Sequence, residues 1–163
     1  MNDTIDQLVQ QLSELLIKRG WMIAAVESCT GGMISESITR VPGSSVWFER
    51  GFVTYSNDAK QELVGVNSAS IRDHGAVSSV VAREMAIGGV QSSRADLAVS
   101  VTGVAGPDGG TKEKPVGTVW IAWADRNGKV VDQEYLFSGD RQQVRVASAQ
   151  SAFAGAIKFL NSM

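Results

Sequence analysis

Four short stretches combine residue types and spacings that chemistry can use. The first is Glu27-Ser28-Cys29-Thr30-Gly31-Gly32, between a short apolar run and a helical pattern. Glycines let backbone amides approach a ligand, and amides at a helix start carry positive potential. Such a turn can hold a phosphate or an oxyanion, and it exposes a side chain at its apex as a nucleophile elbow does. Ser28 and Cys29 are both candidate nucleophiles. A plainer reading stands beside this one: Ser28 or Thr30 caps the helix and the glycines only permit tight packing.

The second stretch is Tyr55-Ser56-Asn57-Asp58-Ala59-Lys60. Asp58 to Gln61 has the form of a capping box with Asp in place of Ser or Thr, which puts Lys60 in a first helical turn. The helix dipole disfavours a cation there, and partial burial would push its pKa further below about 10.4, toward the range of a base. Tyr55 would then relay a proton or hold the lysine; the alternative is an exposed Lys and a half-buried Tyr. The third stretch, Thr102 to Gly110, is a glycine-rich loop after a strand, able to wrap a ligand with its backbone. It is neither a Walker A motif nor a dinucleotide fingerprint. The fourth is Ser138-Gly139-Asp140-Arg141, with Arg145 one turn on. Two arginines at a helix start suit a bound phosphate, or simply solvent.

Composition narrows the chemistry. The 163 residues include one His (His74) and one Cys (Cys29), so a disulfide within the chain and a four-ligand zinc site are both excluded. No cofactor or metal is expected. A Ser-His-Asp triad could use only His74, and a lone His in Asp73-His74-Gly75 reads as a loop residue. The net charge of −2 leaves no electrostatic footprint for nucleic acid. No apolar run approaches the ~20 residues that cross a bilayer, and the N-terminus lacks a secretion signal. The expectation is a cytoplasmic protein without membrane or nucleic-acid partners.

The elements that must position these residues follow from hydrophobic periodicity. Residues 3–19 read as an amphipathic helix, 21–26 as a buried strand, 33–41 as a helix, and 46–54 as a second strand. A short helix opens at Asp58. A helix over 78–90, a strand over 96–102, the loop 103–117 and a strand over 118–124 come next. Asn127-Gly128 signals a hairpin into an outer strand over 130–137. A last helix covers 139–160, with Val146, Phe153, Ile157 and Leu160 inward. This pattern predicts a single α/β domain, a three-layer α/β/α sandwich with a mixed sheet of about five or six strands. Trp47 and Phe48 fit either a homodimer interface or the core.

Taken together, the motifs resemble one family. Glu27 to Gly32, Gly43-Ser44-Ser45 with Trp47-Phe48, Gly51 to Lys60, His74 to Ser78, Thr102 to Gly110, Lys114 to Val119 and Gly139-Asp140-Arg141 match in order. The chain resembles the nicotinamide-nucleotide amidases, whose domain is shared with the C-terminal part of the competence-damage-inducible protein CinA. The resemblance runs from about Trp21 to the last helix, without the N-terminal domain of longer members. It implies hydrolysis of the carboxamide of nicotinamide mononucleotide to nicotinate mononucleotide and ammonia, in pyridine nucleotide salvage. It also implies Ser28 as nucleophile with Tyr55 and Lys60 as its catalytic partners. By loop, it implies substrate contacts at Thr30, Gly31, Gly32, Thr102, Gly103, Ala105, Gly106 and Arg141. Two alternatives stay open: a nucleotide-binding module without turnover, and an amidase for another small amide.

Overall fold

The computed structural model describes residues 2–163. The elements in chain order are α1 (Asn2–Arg19), β1 (Ile23–Glu27), α2 (Met33–Thr39), β2 (Phe48–Val53), α3 (Asn57–Val64), α4 (Ser68–His74), α5 (Ser79–Gln91), β3 (Leu97–Gly103), β4 (Thr118–Asp125), β5 (Val130–Leu136) and α6 (Arg141–Asn161). One five-stranded sheet has the order β2-β1-β3-β4-β5. β1 pairs in parallel with β2 and β3, while β3–β4 and β4–β5 are antiparallel. The mixed sheet is therefore as the sequence predicts.

Side-chain size explains how the layers stack. Alternate residues of a strand face opposite sides. On one face, Ile23, Leu97, Val99, Ile121 and Trp123 meet large apolar residues of α1 and α6 in the main core. On the other face the sheet offers Ala24, Ala98, Ala122 and Ala124. Small residues let α5 lie close, and α5 answers with Gly88 and Gly89. A Cβ on Gly89 would stand 2.6 Å from Val26 Cγ2, and one on Gly88 would stand 1.8 Å from the Val64 carbonyl oxygen. Val64 ends α3, so Gly88 sets how near α3 can come.

Several sequence expectations need correction. Residues 44–46 form a 3-10 turn, and the second strand starts only at Phe48. Trp47 is buried in the core and the half-buried Phe48 packs against that core, which fits the core reading for Trp47. α4 has no counterpart in the periodicity reading. On α6 the buried stripe is Val144, Ala149, Ala152, Phe153, Ala156, Phe159 and Leu160, while Val146 and Ile157 are only half-buried. Small residues lie innermost because the helix runs against Trp123, whose indole N–H donates to the Ala152 carbonyl at 3.0 Å.

Gly88→Ala is expected to destabilise the fold by about 1–3 kcal/mol through overpacking against a backbone that cannot rotate away. Urea denaturation followed by circular dichroism measures it, and an unchanged midpoint would show that α3 is free to shift.

Candidate active site

The topology creates the site. From the C-terminal end of β1 the chain departs toward β2, and from that of β3 it departs toward β4 on the other side. Ligand clefts in α/β sheets form where neighbouring strands diverge in this way. Here the cleft measures about 310 Å³. Its walls include Ser28 and Cys29 after β1, Tyr55 after β2, Lys60 on α3, the 102–109 segment after β3, and Arg141.

Ser28 sits one residue beyond β1, and its N–H still donates to the Val101 carbonyl at 3.0 Å, extending the β1–β3 ladder. The turn after it is gripped from two sides. The Glu27 carboxylate is wholly buried and accepts five hydrogen bonds from residues 30–35. Arg145 donates to the Cys29 carbonyl at 3.2 Å and the Thr30 carbonyl at 2.9 Å. Gly31 and Gly32 have φ of 57° and 108°, which suits glycine and turns the chain into α2. The amides of Gly31 to Ser35 all have acceptors. Those of Cys29 and Thr30 have none among the described residues.

Lys60 decides the chemistry. Its side chain is 2% exposed. Nζ lies 3.1 Å from Ser28 Oγ, 3.0 Å from the Thr54 carbonyl oxygen and 3.3 Å from the Tyr55 carbonyl oxygen. The two carbonyls can only accept, whereas a hydroxyl can also donate. A neutral amine has two N–H donors and one lone pair. As an ammonium, Lys60 donates to all three oxygens; as a neutral amine it can donate to both carbonyls and offer its lone pair to the Ser28 proton. Burial lowers the Lys60 pKa from its ordinary 10.5, because the charged form loses its water; the Cys29 thiol opposes this by a smaller amount.

The helix carrying Lys60 is capped by Ser56, not by Asp58: Ser56 Oγ accepts from the Ala59 amide at 3.0 Å. Lys60 is thus the fourth residue of α3, and its own amide is satisfied by the Ser56 carbonyl. Desolvation is the largest cause of its lowered proton affinity. The Cys29 side chain, next to the serine, faces the core, and burial pushes its thiol up to about 11. Ser28 therefore meets the Lys60 amine and Cys29 stays protonated.

The other expected residues divide. Thr102, Gly103, Ala105 and Gly106 line the cleft. Arg141 donates to the Gly106 carbonyl at 2.6 Å and to the Tyr55 hydroxyl at 3.2 Å, so it joins two walls. The Tyr55 phenol is turned to Arg141; only the Tyr55 carbonyl reaches Lys60. Thr30 is buried with its hydroxyl on Glu27. Gly31, Gly32 and Arg145 border a separate cavity of about 410 Å³, behind the turn, which contains neither Ser28 nor Lys60. Arg145 is thus a brace for the turn and not a partner of Arg141 in one anion site. His74 lies outside the cleft, with its carbonyl accepting from Lys114 Nζ at 2.7 Å. Asn57, Ala76, Val77 and Asp108 also join the walls. Asn57 and Asp108 lie in stretches the sequence singles out, but nothing in sequence signals that 76–77 crosses to Thr102, whose hydroxyl donates to the Ala76 carbonyl at 2.9 Å.

Comparison with known proteins agrees with this fold. Residues 5–160 match the model of the CinA C-terminal domain. The chain belongs to the CinA C-terminal domain family. It is 48% identical over 154 residues to a protein of Enterobacter agglomerans named nicotinamide-nucleotide amidohydrolase PncC, covering 94% of each chain. It is 53% identical over 139 residues to the protein of that name from Escherichia coli K12, covering 85% of this chain and 84% of the other. The crystal structure of the competence/damage inducible protein CihA from Agrobacterium tumefaciens superposes with a TM-score of 0.94 at 42% identity, over 97% of this chain and 96% of that one. Among the described residues of this chain, no helix is long and apolar enough to cross a membrane.

The buried thiol gives a direct check. At near-neutral pH, iodoacetamide should leave Cys29 unmodified in the native protein while alkylating it in the urea-unfolded chain, as read by mass spectrometry. Equally rapid labelling of both would place a reactive thiol beside Ser28.

Proposed function

We propose that this chain hydrolyses the carboxamide of nicotinamide mononucleotide, giving nicotinate mononucleotide and ammonia, as a cytoplasmic salvage enzyme of pyridine nucleotides. The observation that carries the reading is the buried Lys60 amine 3.1 Å from Ser28 Oγ, at the head of a cleft of small-ligand size. The choice of substrate rests on the names of the two amidohydrolase relatives.

An amide is a poor electrophile, so the reaction needs an activated nucleophile and a site for the oxyanion. Neutral Lys60 takes the Ser28 proton directly, and Oγ bonds to the carboxamide carbon. The carbonyl electrons move to oxygen, where the Cys29 and Thr30 amides, free of other acceptors, hold the charge. The C–N bond then breaks and the departing nitrogen takes the proton from Lys60 as ammonia leaves. Water, deprotonated by Lys60, attacks the resulting Ser28 ester. Release of the acid returns the proton to Ser28.

The 102–106 backbone, with Ala76 and Val77, forms a wall for the flat pyridine ring. Tyr55 and Arg141 form the outer end, where an arginine fork suits the 5′-phosphate. Gly31 and Gly32 serve by shaping the turn rather than by touching the nucleotide, and Thr30 meets it through its amide alone, its hydroxyl being held by Glu27. No step uses a metal or a cofactor.

Ser28→Ala and Lys60→Ala are each expected to abolish ammonia release from the mononucleotide while leaving the circular dichroism spectrum unchanged. In the wild type, kcat/KM should rise with pH, because the working form of Lys60 is the unprotonated one. The midpoint of that rise lies below 10.5, the direction in which burial moves the group. A rise centred at or above that value would remove Lys60 as the base.

Arg141→Ala should raise KM for the mononucleotide much more than for nicotinamide riboside, which lacks the phosphate. Equal effects on both substrates would take Arg141 out of the phosphate site.

A further inference from the structure

Glu27 is shielded from solvent, and among the described residues no cation hydrogen-bonds its carboxylate. Burying such a group costs free energy unless donors surround it. Here the donors come from a single short stretch. Oε1 accepts from Thr30 Oγ1 at 2.7 Å, from the Gly32 amide at 3.2 Å and from the Ile34 amide at 2.9 Å. Oε2 accepts from the Ser35 amide at 2.9 Å and from Ser35 Oγ at 2.8 Å. The main chain of Glu27 binds the opposite wall: its carbonyl accepts from the Thr54 amide at 2.7 Å and from Thr54 Oγ1 at 3.2 Å. The carbonyl of Thr54 in turn accepts from Lys60 Nζ.

One residue thus joins the two halves of the Ser28–Lys60 pair. Its side chain fixes the turn that presents Ser28, and its backbone fixes the segment that holds Lys60. Space for this is provided at a distance. A Cβ on Gly51 of β2 would lie 2.3 Å from Ser35 Oγ, so only glycine there lets the Ser35 hydroxyl remain on Glu27.

We infer that Glu27 is a positioning residue for the hydrolysis. By taking the amides of Gly32, Ile34 and Ser35 onto one carboxylate, it sets the turn so that Ser28 Oγ meets Lys60 and the Cys29 and Thr30 amides are left for substrate. The inference rests on the reading of Ser28 as the nucleophile. It requires a charged or at least acceptor-only group. A glutamine of the same shape would point an NH2 at N–H donors on one side, and at least one backbone amide would lose its acceptor.

The test is Glu27→Gln in the full-length protein, assayed for ammonia release from nicotinamide mononucleotide well below its thermal midpoint. The expected result is a fall in kcat on the order of 10²-fold, the cost of misplacing reacting groups by a fraction of an ångström to an ångström. KM should stay within a factor of about two, since Glu27 does not border the cleft, and the pH midpoint of kcat/KM should not move, since Lys60 keeps its burial. A merely structural role would lower the melting temperature and leave kcat per folded molecule intact; that outcome overturns the inference. Ser35→Ala keeps every backbone bond and removes one donor, so it serves if the glutamine variant does not fold. It should lower kcat in the same sense by a smaller factor, and an unchanged kcat counts equally against Glu27. Wild-type protein without Ser28-dependent turnover removes the nucleophile reading and this inference together. Ser28-dependent turnover with an unaffected Glu27→Gln variant removes the inference alone.

Discussion

The arrangement depends on one amine kept out of water. Lys60 is useful as a base only if its charged form is disfavoured, and burial disfavours it. Burying an amine without partners would be costly, so the fold supplies two carbonyls and one hydroxyl around it. Both carbonyls come from 54–55, where the chain leaves β2 before entering α3. The helix can bring Lys60 over that segment only because Gly88 lets it pack closely on α5. A chain of contacts from the far face of the sheet to the nucleophile is therefore maintained by residues without reactive groups.

The serine side has a complementary logic. Adjacent residues after a strand point in different directions, so Ser28 and Cys29 receive opposite environments. Ser28 faces the base, while Cys29 faces the apolar core and is held protonated. Burial thereby quiets the intrinsically better nucleophile, while the proposed reaction uses the weaker one, placed beside an amine. Glu27 holds the donors of the turn and Arg145 holds its acceptors. Each grip is charge-assisted, which makes it stronger than a neutral bond.

The sequence alone determined the sheet elements well, because a buried strand needs an apolar run and a hairpin needs a turn such as Asn127-Gly128. It also placed Ser28 and Tyr55 just after strands and Lys60 in a first helical turn, and with one His and one Cys it pointed to lysine as the candidate base. These are local properties, or counts. The tertiary structure decided what distance in sequence hides. Asp58 to Gln61 has the local form of a cap, yet the helix starts earlier because Ser56 reaches the Ala59 amide. The α6 stripe runs through alanines because Trp123 fills the space beside Gly155, where a Cβ would stand 1.9 Å from the ring. Arg145 follows Arg141 by one helical turn, yet each meets a different cavity, since they leave α6 in different directions. Residue types announced a serine and a lysine, but only burial could set the lysine's proton affinity and the facing of its lone pair. Both are properties of surroundings assembled from β1, β2, α3 and α5.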